Sequence, residues 1–142
     1  MTRKIYTIGY GNRDVKEFIE ILKKFEIECI VDVRRFPTSK FEHYTKKNLK
    51  KILKKENIEY IWIEDLGGFR GGYKRYMQSS KFKQAIKKLI EISSKRKTCI
   101  LFAEYFPWRC HRRHIANYLQ ILGIEVVHLI DANKVWLDKK YY

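Results

Sequence analysis

The sequence is short of negative charge. Sixteen Asp and Glu stand against thirty-one Lys and Arg, a formal net charge of +15 with the histidines neutral. A field of that sign attracts polyanions, and nucleic acid is the commonest such partner. Thermal adaptation enriches Lys and Glu together, so it does not account for a basic side that runs this far ahead. Cysteine is scarce too: Cys29, Cys99 and Cys110 are an odd number, widely spaced, with no CxxC pair. A disulfide framework is not expected, and a reducing compartment fits. No apolar run approaches the roughly 20 residues of a membrane span. The first ten residues, "MTRKIYTIGY", lack the apolar stretch of a signal peptide. The expectation is a soluble cytoplasmic protein with no membrane partner. Internal repeats, low-complexity segments and linkers are likewise missing.

Hydrophobic residues make up 45% of the 142, enough for one core in a single domain spanning 1–142. Apolar runs alternate with amphipathic stretches. "KIYTIGY" (4–10), "ECIVDVRRF" (28–36), "IEYIWI" (58–63), "KTCILFAE" (97–104) and "EVVHLI" (125–130) read as strands. "RDVKEFIEILKKF", "KKNLKKILKKEN", "KFKQAIKKLIEIS" and "RCHRRHIANYLQIL" read as helices, with Asn12 or Asp14 capping the first and Gly123 closing the last. This alternation predicts a three-layer, Rossmann-like α/β domain, with a mostly parallel sheet of about five strands and helices on both faces. Ligands of such folds collect beyond the carboxyl ends of the strands. That rule selects Gly9–Asn12, Asp32–Lys40, Asp65–Tyr73 and Glu104–Arg113.

Each of these segments has a functional and a structural reading. In "TIGYGN", Gly9 and Gly11 match G-x-G, but Asp14 stands where a dinucleotide fingerprint needs a third glycine. The turn, with Gly9, Tyr10 and Asn12, is either a tight entry to a helix or a backbone cradle for a ligand. "VDVRRFPTSKF" puts Asp32 and Arg34 on one face of a strand end. They form either a structural charge pair or a base and a phosphate fork, with Ser39 and Lys40 as further anion contacts. The loop "LGGFRGGYKRYM" combines Gly67 and Gly68 with Arg70, Tyr73 and other cations and rings. It is either a connector folded onto the core or a phosphate-binding and base-stacking loop. Residues 46–55 carry two i, i+4 rows of lysines, Lys46, Lys50 and Lys54 beside Lys47, Lys51 and Lys55, with only Glu56 nearby. They form either a solvated face or a phosphate-contacting stripe. Around "AEYFPWRCHRRH", Arg112 and Arg113 with a helix N-terminus suit an anion. Glu104, Cys110 and His111, with Asp32, are the candidate catalytic groups, Cys110 being a thiol set among cations. Too few ligands are at hand for zinc, and neither a metal nor a cofactor is expected.

Taken together, "YTIGYGNR", "VDVRRFPTSKF", the "DLGG" turn and "CILFAEYFPWRCHRRHIANYL" resemble the family known as domain of unknown function 488. The resemblance spans nearly the whole chain and implies a compact Rossmann-like domain without an assigned activity. Gly9, Asn12, Asp32, Arg34, Pro37, Ser39, Gly67, Gly68, Glu104, Cys110, His111 and Arg112 fit its pattern. Tyr10 departs from it, standing where the pattern more often has histidine. The leading expectation is a protein that binds or acts on nucleic acid or nucleotides through an anion site at the strand ends. The alternatives are a non-catalytic nucleic-acid-binding module and a thiol enzyme using Cys110 for sulfur or acyl transfer. Oligomeric state is left open.

Overall fold

A computed structural model describes residues 3–68, 71–106 and 110–137, with the backbone alone for Cys110. It contains β1 (Lys4–Gly9), α1 (Val15–Lys24), β2 (Cys29–Asp32), α2 (Lys46–Lys55) and β3 (Glu59–Trp62). The chain continues through α3 (Tyr73–Tyr76), α4 (Ser80–Lys95), β4 (Thr98–Phe102), α5 (Cys110–Ile121), β5 (Glu125–Asp131) and β6 (Lys134–Leu137). The strands form one sheet in the order β3-β2-β4-β1-β5-β6. Every pairing is parallel except β5 with β6. This is the mixed α/β, Rossmann-like architecture anticipated from the alternation of elements.

The two directions of travel along the sheet sort the helices. Right-handed crossovers from β1 to β2 and from β2 to β3 run one way, and those from β3 to β4 and β4 to β5 run the other. Accordingly, Phe18, Ile21 and Leu22 of α1 and Leu49 and Leu53 of α2 pack with Ile8, Ile30 and Leu101 on one face. Phe82, Ile86 and Leu89 of α4 and Ile115 and Leu119 of α5 pack with Ile5, Val31 and Phe102 on the other. Each of these side chains stabilises the fold by about 1.5–3 kcal/mol relative to exposure.

Local chemistry sets the ends. The Asp14 carboxylate accepts from the Lys16 amide at 3.3 Å and opens α1. Helices α1, α2 and α5 stop alike: Glu26, Asn57 and Gly123 take positive φ. The next amide then folds back, Ile27 to Leu22, Ile58 to Leu53 and Ile124 to Leu119. Strand β2 is shorter than its apolar run predicts, because the Asp32 carboxylate captures the Arg34 amide at 3.0 Å and turns the chain away. The sixth strand was not anticipated. It returns from β5 through an Asx turn in which the Asn133 amide donates to Asp131 at 2.7 Å. No helix among the described residues is long and apolar enough to cross a membrane.

Candidate functional site

At the carboxyl ends of the strands the backbone is packed with little clearance. The β1/β4 ladder runs on past both strands, through Tyr10 N–H to the Phe102 carbonyl (3.0 Å) and Gly11 N–H to that of Ala103 (2.9 Å). A Cβ on Gly9 would lie 1.6 Å from the Glu104 carbonyl oxygen, and one on Gly67 2.5 Å from the Arg35 Cα. Both glycines therefore serve close approach of neighbouring loops. Gly68 lies against the His111 ring.

Three buried arginines tie these loops together. Arg34 grips the Asp32 carboxylate through Nε (2.9 Å) and Nη2 (2.7 Å), and its Nη1 donates to the Tyr44 carbonyl at 2.6 Å. Burial would lower the Arg34 pKa, but the hydrogen bonds and charge of Asp32 outweigh it and raise it above the ordinary arginine value. Tyr60 donates to the second Asp32 oxygen at 2.5 Å. Burial and the adjacent carboxylate hold its hydroxyl in the neutral form, its pKa well above the usual tyrosine value. Arg13 donates to the Gly9 carbonyl at 2.9 Å and to that of Ile130, and lies 4.2 Å from the Tyr105 ring centre.

Arg112 is fully buried. Its Nε and Nη2 both donate to Thr7 Oγ1, at 3.0 and 2.8 Å, and Nη1 donates to the carbonyls of Glu104 and Tyr105. With both lone pairs taken, the Thr7 hydroxyl must give its one proton to His128 Nδ1, 2.5 Å away. That fixes Nδ1 of His128 as an acceptor. The guanidinium donors of Arg34 and Arg112 described here thus meet oxygens of the protein itself.

The other residues singled out by sequence divide between the sheet faces. Asp32 lies with Tyr60 and Tyr44 on the α1/α2 side. His111 packs on the opposite side, with ring centres 5.2 Å from Phe102 and 5.1 Å from Tyr73. These two candidate catalytic groups therefore do not form one set. Glu104 is half-buried at the exit of β4. Among the described residues its carboxylate makes no ion pair. Cys110 opens α5, but its side chain, like Arg70, lies outside the described residues. Tyr10 is buried, stacked on Tyr44 at 4.3 Å, and Asn12 is exposed in the turn before α1. Tyr73 donates from its hydroxyl to the Leu66 carbonyl at 2.8 Å. Ser39 Oγ accepts from the Phe41 amide at 3.1 Å, and Lys40 is exposed above the Phe41 ring. Arg113 is exposed on α5. Burial, followed by the charges of Arg113 and Lys74, pushes the neighbouring His114 pKa down. No three His, Cys, Asp or Glu among the described residues cluster as metal ligands.

Among the described residues, α2 presents an uncompensated cationic face. At 3.6 residues per turn, Lys50, Lys54, Lys47, Lys51 and Lys55 fall within an arc of roughly 140°, opposite the buried Leu49 and Leu53, and all five are exposed. None has a carboxylate within ion-pair distance among the described residues. Glu56, the acid nearest in sequence, is engaged by Lys23 of α1 at 2.5 Å. The first turn of α2 contains no acidic residue, so Lys46 and Lys47 also oppose the helix dipole. An open groove of about 360 Å3, lined in part by Lys51, Lys55, His43 and Asn48, flanks the helix. At its start, Lys46 places Nζ 4.1 Å from the Trp62 ring centre. The indole N–H of Trp62 donates to the Arg34 carbonyl at 2.8 Å, joining the lysine face to the carboxyl edge of the sheet.

Sequence reasoning missed Arg13, Tyr44, Tyr60, Trp62 and Phe36. Their roles depend on pairings between distant strands and loops, and the aromatic richness of "IEYIWI" is a local signal for Tyr60 and Trp62 alone.

A family model described as "Domain of unknown function DUF488" matches residues 14–119. None of the curated proteins matches the chain.

Proposed function

We propose that this chain, which belongs to the DUF488 family, is a nucleic-acid-binding domain whose phosphate-contacting surface starts at the carboxyl edge of the sheet and continues along α2. The observation that carries the reading is the exposed lysine face of α2, whose lysines make no ion pair among the described residues, in a chain of net charge +15. Holding like charges at i, i+4 costs about 0.2–0.5 kcal/mol per pair. A phosphate backbone recovers that cost on binding and releases counterions. The buried arginines serve a different purpose: they fasten the loops from which this surface rises.

The test is binding of fluorescent DNA and RNA across a salt series. Log affinity should fall linearly with log salt, by about 0.7–0.9 per phosphate neutralised. The double variant Lys50→Gln/Lys54→Gln should lower that slope by one to two phosphates' worth. Absence of binding at low salt, or a slope unchanged in the double variant, overturns the reading.

A further inference from the structure

We infer that the nucleic acid is single-stranded, and that an unpaired base stacks on Phe36 at the corner where the β2 exit loop meets α2. This deepens the proposed function and rests on it. Phe36 is 70% exposed, an unusual setting for a ring in a loop whose backbone is fastened at several points. The Arg34 carbonyl just before it is held by Trp62, and the Arg34 guanidinium donates to the Tyr44 carbonyl. The Arg35 backbone lies against Gly67 at a spacing that leaves no room for a Cβ. Past the ring, the Thr38 amide donates to the Phe36 carbonyl at 2.8 Å, and the Lys46 amide donates to that of Pro37 at 2.9 Å. The ring is therefore presented outward by an anchored loop.

The corner also joins rings to cations. Arg35 lies 5.3 Å from the Phe36 ring centre, Lys40 5.3 Å from that of Phe41, and Lys46 4.1 Å from that of Trp62. These three contacts belong to one segment, residues 35–46, and to Trp62, whose indole holds the Arg34 carbonyl at the start of it. Phe36 is the exposed ring of the three, and the cations around it can meet the phosphates that flank a stacked base. In a duplex a ring reaches a base face only by wedging a base step apart, at a cost of about a few kcal/mol, whereas a single strand offers its base faces without that cost. From this corner the lysines of α2 continue the phosphate track. Stacking reads no sequence, so the contact is tolerant of base identity.

The experiment measures binding of an oligo(dT) of about 15 nucleotides and of a duplex of the same length, at low salt, to wild type, Phe36→Ala and Phe36→Trp. Phe36→Ala should weaken oligo(dT) binding at least about fivefold, the lower end of the loss of one base–ring stack. Duplex binding should stay within about twofold, and Phe36→Trp should keep wild-type affinity for oligo(dT). Because duplex binding is read in the same preparation, it doubles as the check on folding. If oligo(dT) and duplex both bind and Phe36→Ala weakens neither, or weakens both equally, the single-strand inference fails while nucleic-acid binding stands. If neither binds, nucleic-acid binding itself fails.

Discussion

Reversing a charge at the start of α2 should make the protein more stable and a worse binder. Lys47 is the second residue of α2, exposed, and one turn ahead of Lys51. Lys47→Glu removes a lysine–lysine repulsion at i, i+4 and substitutes an attraction in the favourable order, acid before base, each worth about 0.2–0.5 kcal/mol. It also exchanges a cation for an anion at the positive end of the helix dipole, where each charge is worth about 0.3–1 kcal/mol. Together these amount to about 1–3 kcal/mol at low ionic strength. For a chain of this length that corresponds to a rise in Tm of about 3–9 °C. The assay is thermal unfolding of wild type and variant, first at low salt and then in about 1 M salt, where the Debye length is about 3 Å and the gain should largely vanish. Oligonucleotide affinity measured on the same samples should fall. A Tm that is unchanged or lower at low salt would refute the account of α2 as an uncompensated cationic face.

Three other expectations concern the interior and the thiols. Thr7→Val strips the acceptor from two buried Arg112 donors, so urea denaturation should show a loss of about 1.5–3 kcal/mol, with Thr7→Ser within about 1 kcal/mol of wild type; equal losses would mean that Arg112 does not depend on the hydroxyl. Burial pushes the Cys29 thiol up to about 12 and raises Cys99 as well, so iodoacetamide at pH 8 should leave both intact in the native protein, and native labelling of either at the rate of a free thiol contradicts their burial. His114 has a folded pKa below its ordinary 6.5, so the unfolded chain takes up more protons between that folded value and 6.5, and stability should fall as pH drops through that window; His114→Gln should flatten this stretch of the urea-midpoint profile, and a profile identical to wild type would show that the histidine is not the source.

The order of elements was legible because periodicity reports burial. Continuous apolar runs such as "CIVDV" and "TCILF", buried on both faces, and helical spacings such as Phe18, Ile21 and Leu22 are local signals, and the core follows from them. Strand β6 escaped because "KVWL" is exposed along its whole length, so no buried face marks it in the pattern. The lysine face of α2 was visible for the same reason as the core, since it depends on spacing within one helix. The destinations of the arginines were not visible. Arg34 and Arg112 read as anion seats because sequence shows a donor without its acceptor. The Tyr44 carbonyl and the Thr7 hydroxyl that receive them come from segments 10 and 105 residues away. Phe36 was overlooked for the converse reason: nothing in "RRFPT" says that the chain around the ring would be pinned and the ring left outside.

The continuation of the β1/β4 ladder beyond the strands has a geometric consequence. In an open sheet whose neighbouring strands send their connections to opposite faces, a cleft normally parts between them and admits a ligand edge-on. Here the Tyr10 and Gly11 amides lace that seam shut, and Gly9 leaves less space than one methyl group before the Glu104 carbonyl. Among the described residues the centre of the sheet offers no gap at this end. The proposed nucleic acid would then lie across the outer shoulder, over the β2 exit loop and α2, a path that suits a long flexible strand better than a compact ligand that needs to be enclosed.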